Sequence, residues 1–252
     1  MSTPFSRRHF VRSSWALTSP VFMPILPQVG PSSAPLRIVS VGGHPDDPES
    51  GCAGTLARYS AAGHQVAVVY LTRGERGIRG KSDDEAGSIR TRECEAACKV
   101  MGARAVFAGQ LDGSTELSRT RVEQMQKLLE SENPDVVFTH WPTDTHMDHQ
   151  VASICTMRAC WAFKKHPRLF FFEVNTGAQS LGFLPNVYVD ITETLEKKKA
   201  ALVAHQSQNG EAIWRDYHEV IANWRGREAG VKAAEAFFEL RRDRGLSSLP
   251  GL

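Results

Sequence analysis

Leu36-Arg37-Ile38-Val39-Ser40-Val41-Gly42-Gly43-His44-Pro45-Asp46-Asp47-Pro48-Glu49 is the stretch whose reading decides the fold class. Its first six residues make a short apolar, β-branched run that stops at a glycine pair, which reads as a buried strand ending in a tight turn. His44 then stands just beyond the carboxyl end of a strand. Pro45 holds His44 extended and fixes its own φ, so the two aspartates leave from a stiff turn. Ser50 to Gly63 reads as a helix closed by its glycine, with Gly51 and Gly54 permitting close packing on the sheet.

Outward from that unit the chain keeps alternating. Strands are expected at Gln65–Leu71, Ala105–Gly109, Asp135–Trp141 and Arg168–Val174, with an extra one at Asn186–Ile191. Helices are expected at 88–101, 119–132 and 151–165, and a helical finish at 192–204, 211–226 and 231–244. Strands alternating with helices imply a single α/β domain with a mainly parallel sheet and right-handed crossovers. In such sheets ligands sit outside the carboxyl ends of the strands, where His44, Glu75, Asp112 and His149 all fall. The first strand-to-helix turn lacks Gly-x-Gly-x-x-Gly, which excludes a dinucleotide site of that kind.

With 252 residues, 41% of them hydrophobic, the chain can bury one substantial core. Its formal net charge is +2, but Arg7, Arg8 and Arg12 lie in an acid-free N-terminal segment. Without those three of the 30 basic residues, 27 face 28 acids, a balance that argues against nucleic acid as the main partner. Ser6-Arg7-Arg8-His9-Phe10-Val11-Arg12 and the moderately apolar 14–26 stretch resemble a bacterial twin-arginine export signal. The apolar part falls short of the ~20 residues a bilayer span needs, so a periplasmic or extracytoplasmic product with no permanent anchor is expected. Domain bounds follow as 1–34 for the signal and 35–252 for the body. The five cysteines show no paired framework and read as small buried residues, and Lys197-Lys198-Lys199 reads as a solvated helix face.

The chemistry gathers in two clusters, His44-Pro45-Asp46-Asp47 and His146-Met147-Asp148-His149, the second also lying between a strand and a helix. Catalytic zinc takes three His/Asp/Glu ligands and keeps a position for water. His44, Asp47 and His149 can fill those places. Asp46 then remains free as a general base for a water whose pKa a metal lowers to about 7. Arg90 falls in the expected first turn of its helix, where the dipole disfavours a cation, and such a local violation hints at a site.

Together with Thr72-x-Gly74-Glu75-x-Gly77, Arg90-x-x-Glu93 ending at Met101-Gly102, Leu111-Asp112-Gly113, Val189-Asp190-Ile191-Thr192 and His205-Gln206-Ser207-Gln208, the two clusters resemble the PIG-L/LmbE-like family of zinc-dependent de-N-acetylases. The resemblance runs from about Arg37 to Gln208 in matching order and spacing. It implies a Rossmann-like three-layer sandwich and hydrolysis of an N-acetyl group on a glucosamine-type sugar, releasing acetate. By the same resemblance His44, Asp47 and His149 bind zinc or another divalent metal, and Asp46 is the base. His146 steadies the oxyanion or protonates the leaving amine, Asp148 orients a histidine, and Arg90 and Asp112 hold the sugar. Two positions depart from the family pattern. Pro48 stands where the family carries glutamate, with Glu49 next, a change expected to alter the entrance to the site, and Met147 replaces a proline. The competing readings are a non-catalytic exported sugar-binding module, a hydrolase of a non-sugar amide, and a metal-dependent phosphoesterase using the same cluster.

Overall fold

A parallel sheet needs crossovers, and the chain supplies them as helices. The computed structural model describes residues 34–176 and 178–241, so the expected export signal lies outside the described residues. Strand β1 (Arg37–Gly42) leads to α1 (Asp47–Ala61), β2 (Gln65–Tyr70), α2 (Asp83–Met101), β3 (Arg104–Phe107) and α3 (Arg119–Glu132). The chain then returns through β4 (Val136–His140), α4 (Met147–Ala162) and β5 (Arg168–Phe172). The strand order is β3-β2-β1-β4-β5-β7-β6, the first five parallel and the last two, β6 (Val187–Asp190) and β7 (Ala234–Leu240), antiparallel to their neighbours.

That order places the site. From β1 the chain winds one way to β2 and β3, then returns to lay β4 on the other side of β1, so the topology reverses between β1 and β4. The loops leaving those two strands carry His44 and His149 and diverge around a crevice at their carboxyl ends. Two sequence clusters about a hundred residues apart therefore face each other.

Alternation within each strand builds two cores. Ile38, Val68, Phe138 and Phe172 point to one side, against Leu56 of α1 and Cys98 of α2. Val39, Val69, Val137 and Phe171 point to the other, against Leu129 of α3 and Cys155 of α4. The result is the expected three-layer α/β architecture. A Cβ on Gly51 would come within 2.3 Å of the Phe172 ring, so the close approach of α1 to the sheet requires glycine there. All five cysteines are buried and free.

Four expectations are corrected. The stretch 231–244 is not helical over its described part, because Ala234–Leu240 is strand β7 between β5 and β6. Its Ala, Glu and Leu content favours helix in isolation, but pairing on both edges overrides propensity. The helix through Arg90 starts at Asp83, capped by Ser82 and Glu85, which puts Arg90 well inside it and buried instead of in an exposed first turn. Lys198 is not solvated. It is buried on α5 (Leu195–Val203), with Nζ 2.6 Å from Glu235 Oε1 of β7 and 2.6 Å from the Ser50 carbonyl. The helix expected over 211–226 is α6 (Gly210–Ile213), a π turn over Trp214–His218, and α7 (Glu219–Ala229). Among the described residues no helix is long and apolar enough to cross a membrane.

Candidate active site

The turn after β1 is tighter than its proline alone requires. Helix α1 begins at Asp47, and Asp46 is its N-cap with φ 108°. A non-glycine residue held at positive φ costs roughly 1–3 kcal/mol and persists only where its surroundings enforce it. The enforcement is visible. Glu49 Oε2 accepts the Asp46 N–H at 3.2 Å, and Arg90 donates to Asp46 Oδ2 at 3.1 Å and to the Pro45 carbonyl.

His44 and His149 are held in mirrored fashion. His44 Nδ1 lies 3.2 Å from Asp47 Oδ2, while its Nε2 lies 3.0 Å from Asp148 Oδ2 and 3.2 Å from Asp112 Oδ1. His149 Nε2 lies 3.2 Å from Asp47 Oδ1, and its Nδ1 3.1 Å from Asp144 Oδ1. Each imidazole thus turns one nitrogen to a different oxygen of Asp47 and has the other fixed by an outer carboxylate, the arrangement that orients metal-binding histidines. Asp148 is itself seated by Gly113 N–H at 2.8 Å and the Thr115 hydroxyl at 2.6 Å. Asp144 accepts the His146 N–H at 2.8 Å.

The electrostatics follow from that crowding. Burial works against charge on His44, but Asp112, Asp148 and Asp47 raise its pKa well above the ordinary value. Burial likewise opposes charge on His149, yet Asp47 and Asp144 bring it up to about 9. Asp47 resists burial through His149 and His140 and stays well below the usual carboxylate range. Burial lifts Asp46, with the Arg90 guanidinium opposing.

A carboxylate-rich cluster that holds protons on two histidines has the donors and the charge to take a divalent ion in their place. Three overlapping His/Asp groups have donor atoms within 4.8 Å of one another, namely His44/His146/His149, Asp47/His140/His149 and His44/Asp112/Asp148. The expected trio His44, Asp47 and His149 is not one of these three. It straddles them, joined through Asp47. These buried His and Asp groups fit a metal ion.

His146 is the N-cap of α4, so His149 stands in the first turn of the helix instead of in the loop before it. His146 Nδ1 accepts the Asp148 N–H at 3.2 Å, which leaves Nε2 as the donor of the neutral ring. Burial, His44 and His149 lower its pKa. His44, Asp46, Asp47, Arg90, Asp112, His146 and His149 all line one cavity of about 350 Å³. Asp148 stands behind it, on His44. A Cβ on Gly74 or Gly77 would come within 2.3 Å of Arg90 Nη1, so the glycines of the 72–77 loop make room for its guanidinium.

Sequence reasoning passed over three residues here. His140, at the end of β4, is fully buried, accepts the Gly43 N–H at 3.0 Å and lies 3.3 Å from Asp47 Oδ2. Burial and His149 push it down to about 4. A histidine as the last residue of a strand beside the crevice was the available signal. Asp144 was readable only as a third acid near His149. Glu49 was given no role, yet it is fully buried beneath Asp46, and Pro48 before it stands in the first turn of α1. Met147 is exposed at the first position of α4 and touches none of these groups in the hydrogen-bond network.

The family model for PIG-L, GlcNAc-PI de-N-acetylase, matches residues 39–160. Diacetylchitobiose deacetylase of Thermococcus kodakarensis is 28% identical over 86% of this chain and 84% of its own length. The uncharacterized deacetylase YaiS of Escherichia coli (strain K12) is 30% identical over 68% of this chain and 90% of its own. Among solved structures, the N,N'-diacetylchitobiose deacetylase of Pyrococcus horikoshii superposes with a TM-score of 0.72 at 24% identity, covering 81% of this chain and 83% of that one. The 4-carboxy-2-hydroxymuconate hydratase GalB of Pseudomonas putida KT2440 does so equally well, at 0.72 and 21% identity over 84% of this chain and 98% of its own. At those identities the superpositions establish the fold, which hosts more than one chemistry. The family is set by sequence, through a model spanning both clusters and a relative covered almost end to end, and by it this chain belongs to the PIG-L family of de-N-acetylases.

Proposed function

We propose that the chain hydrolyses the N-acetyl group of a glucosamine-type sugar, with one divalent metal, zinc before others, held by His44, Asp47 and His149. The observation that carries the reading is the mirrored setting of the two histidines on the two oxygens of Asp47, each backed by an outer carboxylate. When bound, the metal supplies polarisation of the amide carbonyl and a lowered pKa for water.

The chain's own residues do the rest. Asp46, aimed into the cavity by Arg90, takes a proton as the water oxygen bonds to the carbonyl carbon. His146 Nε2–H donates to the oxygen on which negative charge develops. As the C–N bond breaks, Asp46 returns its proton to the leaving nitrogen, giving acetate and a free amine. Arg90 and Asp112 on the cavity wall are assigned to the sugar. That relatives are named as deacetylases of diacetylchitobiose and of a 2-acetamido-2-deoxy-glucopyranoside supports a sugar amide over other amides.

A panel of N-acetylated sugars and non-sugar amides, assayed for acetate release with added zinc, tests this reading. Release from the sugars that disappears in chelator is expected, and release from none of them would sink it. Export remains a proposal resting on Arg7 and Arg8. Changing both to Lys should strand the protein in the cytoplasm, because the twin-arginine route reads guanidinium pairs and not charge alone, and unchanged export would count against it.

A further inference from the structure

Beneath the turn that carries Asp46 lies a buried set of polar residues that the hydrolysis above leaves unused. Glu49 is fully buried in α1. Its Oε2 accepts the Asp46 N–H at 3.2 Å, and its Oε1 accepts the Tyr70 hydroxyl at 2.5 Å. His205 Nε2 lies 3.2 Å from the same Oε1. A carboxylate taken wholly out of water needs such neighbours, because an uncompensated buried charge is strongly unfavourable.

Neither neighbour is there for packing alone. Tyr70, the last residue of β2, stacks on Phe107 within an apolar cluster where phenylalanine would fill the same space, so what the tyrosine adds is a hydroxyl on Glu49 at 2.5 Å, with the Cys98 sulfur 3.4 Å away. His205 follows α5 with both ring nitrogens buried and neither in a well-aligned hydrogen bond, so what ties it to Glu49 is charge.

Asp46 is held from two directions. Arg90 fixes the carboxylate from the cavity side, and Glu49 fixes the backbone N–H from the core side. Arg90 and the Ser50 N–H hold the Asp46 carboxylate and carbonyl, whereas Glu49 is the side chain that holds its N–H at φ 108°.

We propose that Glu49, seated by Tyr70 and His205, is a positioning residue that keeps the Asp46 backbone in its left-handed conformation and so aims the carboxylate at the reacting water. The aiming rests on the role given to Asp46 above, whereas the clamp itself does not.

The test compares Glu49→Leu, which removes the acceptor at similar volume, with Glu49→Gln, which retains one. In Glu49→Leu, kcat should fall about 10- to 100-fold, the loss that goes with a misplacement near 1 Å, while KM and metal per chain hold at wild-type values. Glu49→Gln should restore most of that rate, and Tyr70→Phe should fall between the two. Amide exchange across residues 44–50 should quicken in Glu49→Leu and stay unchanged in the sheet. Should Glu49→Leu not fold, Tyr70→Phe, which loses one hydroxyl, carries the same readouts. A wild-type kcat and unaltered exchange in the 44–50 turn would overturn the proposal, and so would a drop in kcat matched by loss of metal. If the wild-type enzyme releases no acetate at all, the hydrolytic reading fails. Exchange then still decides the clamp, faster in Glu49→Leu supporting it and unchanged rejecting it.

Discussion

Two buried polar clusters flank α1, and they are built on opposite rules. At its amino end, Asp46, Asp47, Asp112, Asp144 and Asp148 crowd around His44, His140 and His149, with His140 Nδ1 lacking a hydrogen-bond partner among the described residues. Along its side, Lys198 pairs with Glu235, and Arg225 makes a two-pronged contact with Glu173 at 2.6 and 2.7 Å. In the second cluster each charge has its opposite, and the backbone is served as well. Lys198 donates to the Ser50 carbonyl while Glu235 accepts the Gly54 N–H at 2.9 Å, the acceptor and donor of one rung of α1. A cluster that closes its own account of charge is framework. One that gathers carboxylates around histidines is suited to receive a cation.

The comparison is broken most severely by exchanging ligand and base within the Asp pair. Asp47→Ala should lose metal and activity together, since its two oxygens join the two histidines. Asp46→Asn should keep the metal and lose about 10²–10⁴ in rate, the usual cost of a missing general base. Metal content by elemental analysis beside kcat decides between them. Metal lost from Asp46→Asn and kept in Asp47→Ala would reverse the two roles.

Next in size is the framework cluster. Lys198→Met leaves Glu235 buried and unpaired, which should cost about 3–5 kcal/mol in urea unfolding. Adding Glu235→Gln should recover part of that loss, while metal per folded chain stays constant in both. Equal instability of single and double variants would mean that the pairing carries little of the energy.

The difference between the clusters also explains what was legible in the sequence. The cluster at the amino end of α1 was legible in part, because His44, Asp47 and His149 sit in short motifs at strand ends and topology alone carries such ends to one crevice. His140 and Asp144, in the same crevice, belong to no such motif. The framework cluster was unreadable because its partners come from elements whose pairing no local pattern states. Lys198 looks like one of three solvated lysines until β7 brings Glu235 beneath it, and β7 itself has the composition of a helix. Glu49 was passed over for the same reason. Only the packing of β2 and of the segment after α5 shows it facing the core.

The smallest effect at neutral pH is expected between the two clusters, at His218. It is buried on the π turn, and burial together with the Lys198 charge lowers its pKa to about 3 against a slight pull from Asp47. The unfolded chain takes up this proton near the ordinary value of 6.5, the folded chain only near 3. Between those values the unfolded state binds more protons, so the contribution of His218 to stability is full above about pH 6.5 and is lost as the pH falls. The loss should approach about 1.4 kcal/mol for each pH unit within that window. His218→Leu removes the titration and should flatten the curve of unfolding free energy between roughly pH 6.5 and pH 4, measured with urea at several pH values. If both proteins lose stability along parallel curves, His218 is not kept neutral by its burial beside Lys198, and the acid sensitivity belongs to the carboxylates of the cavity.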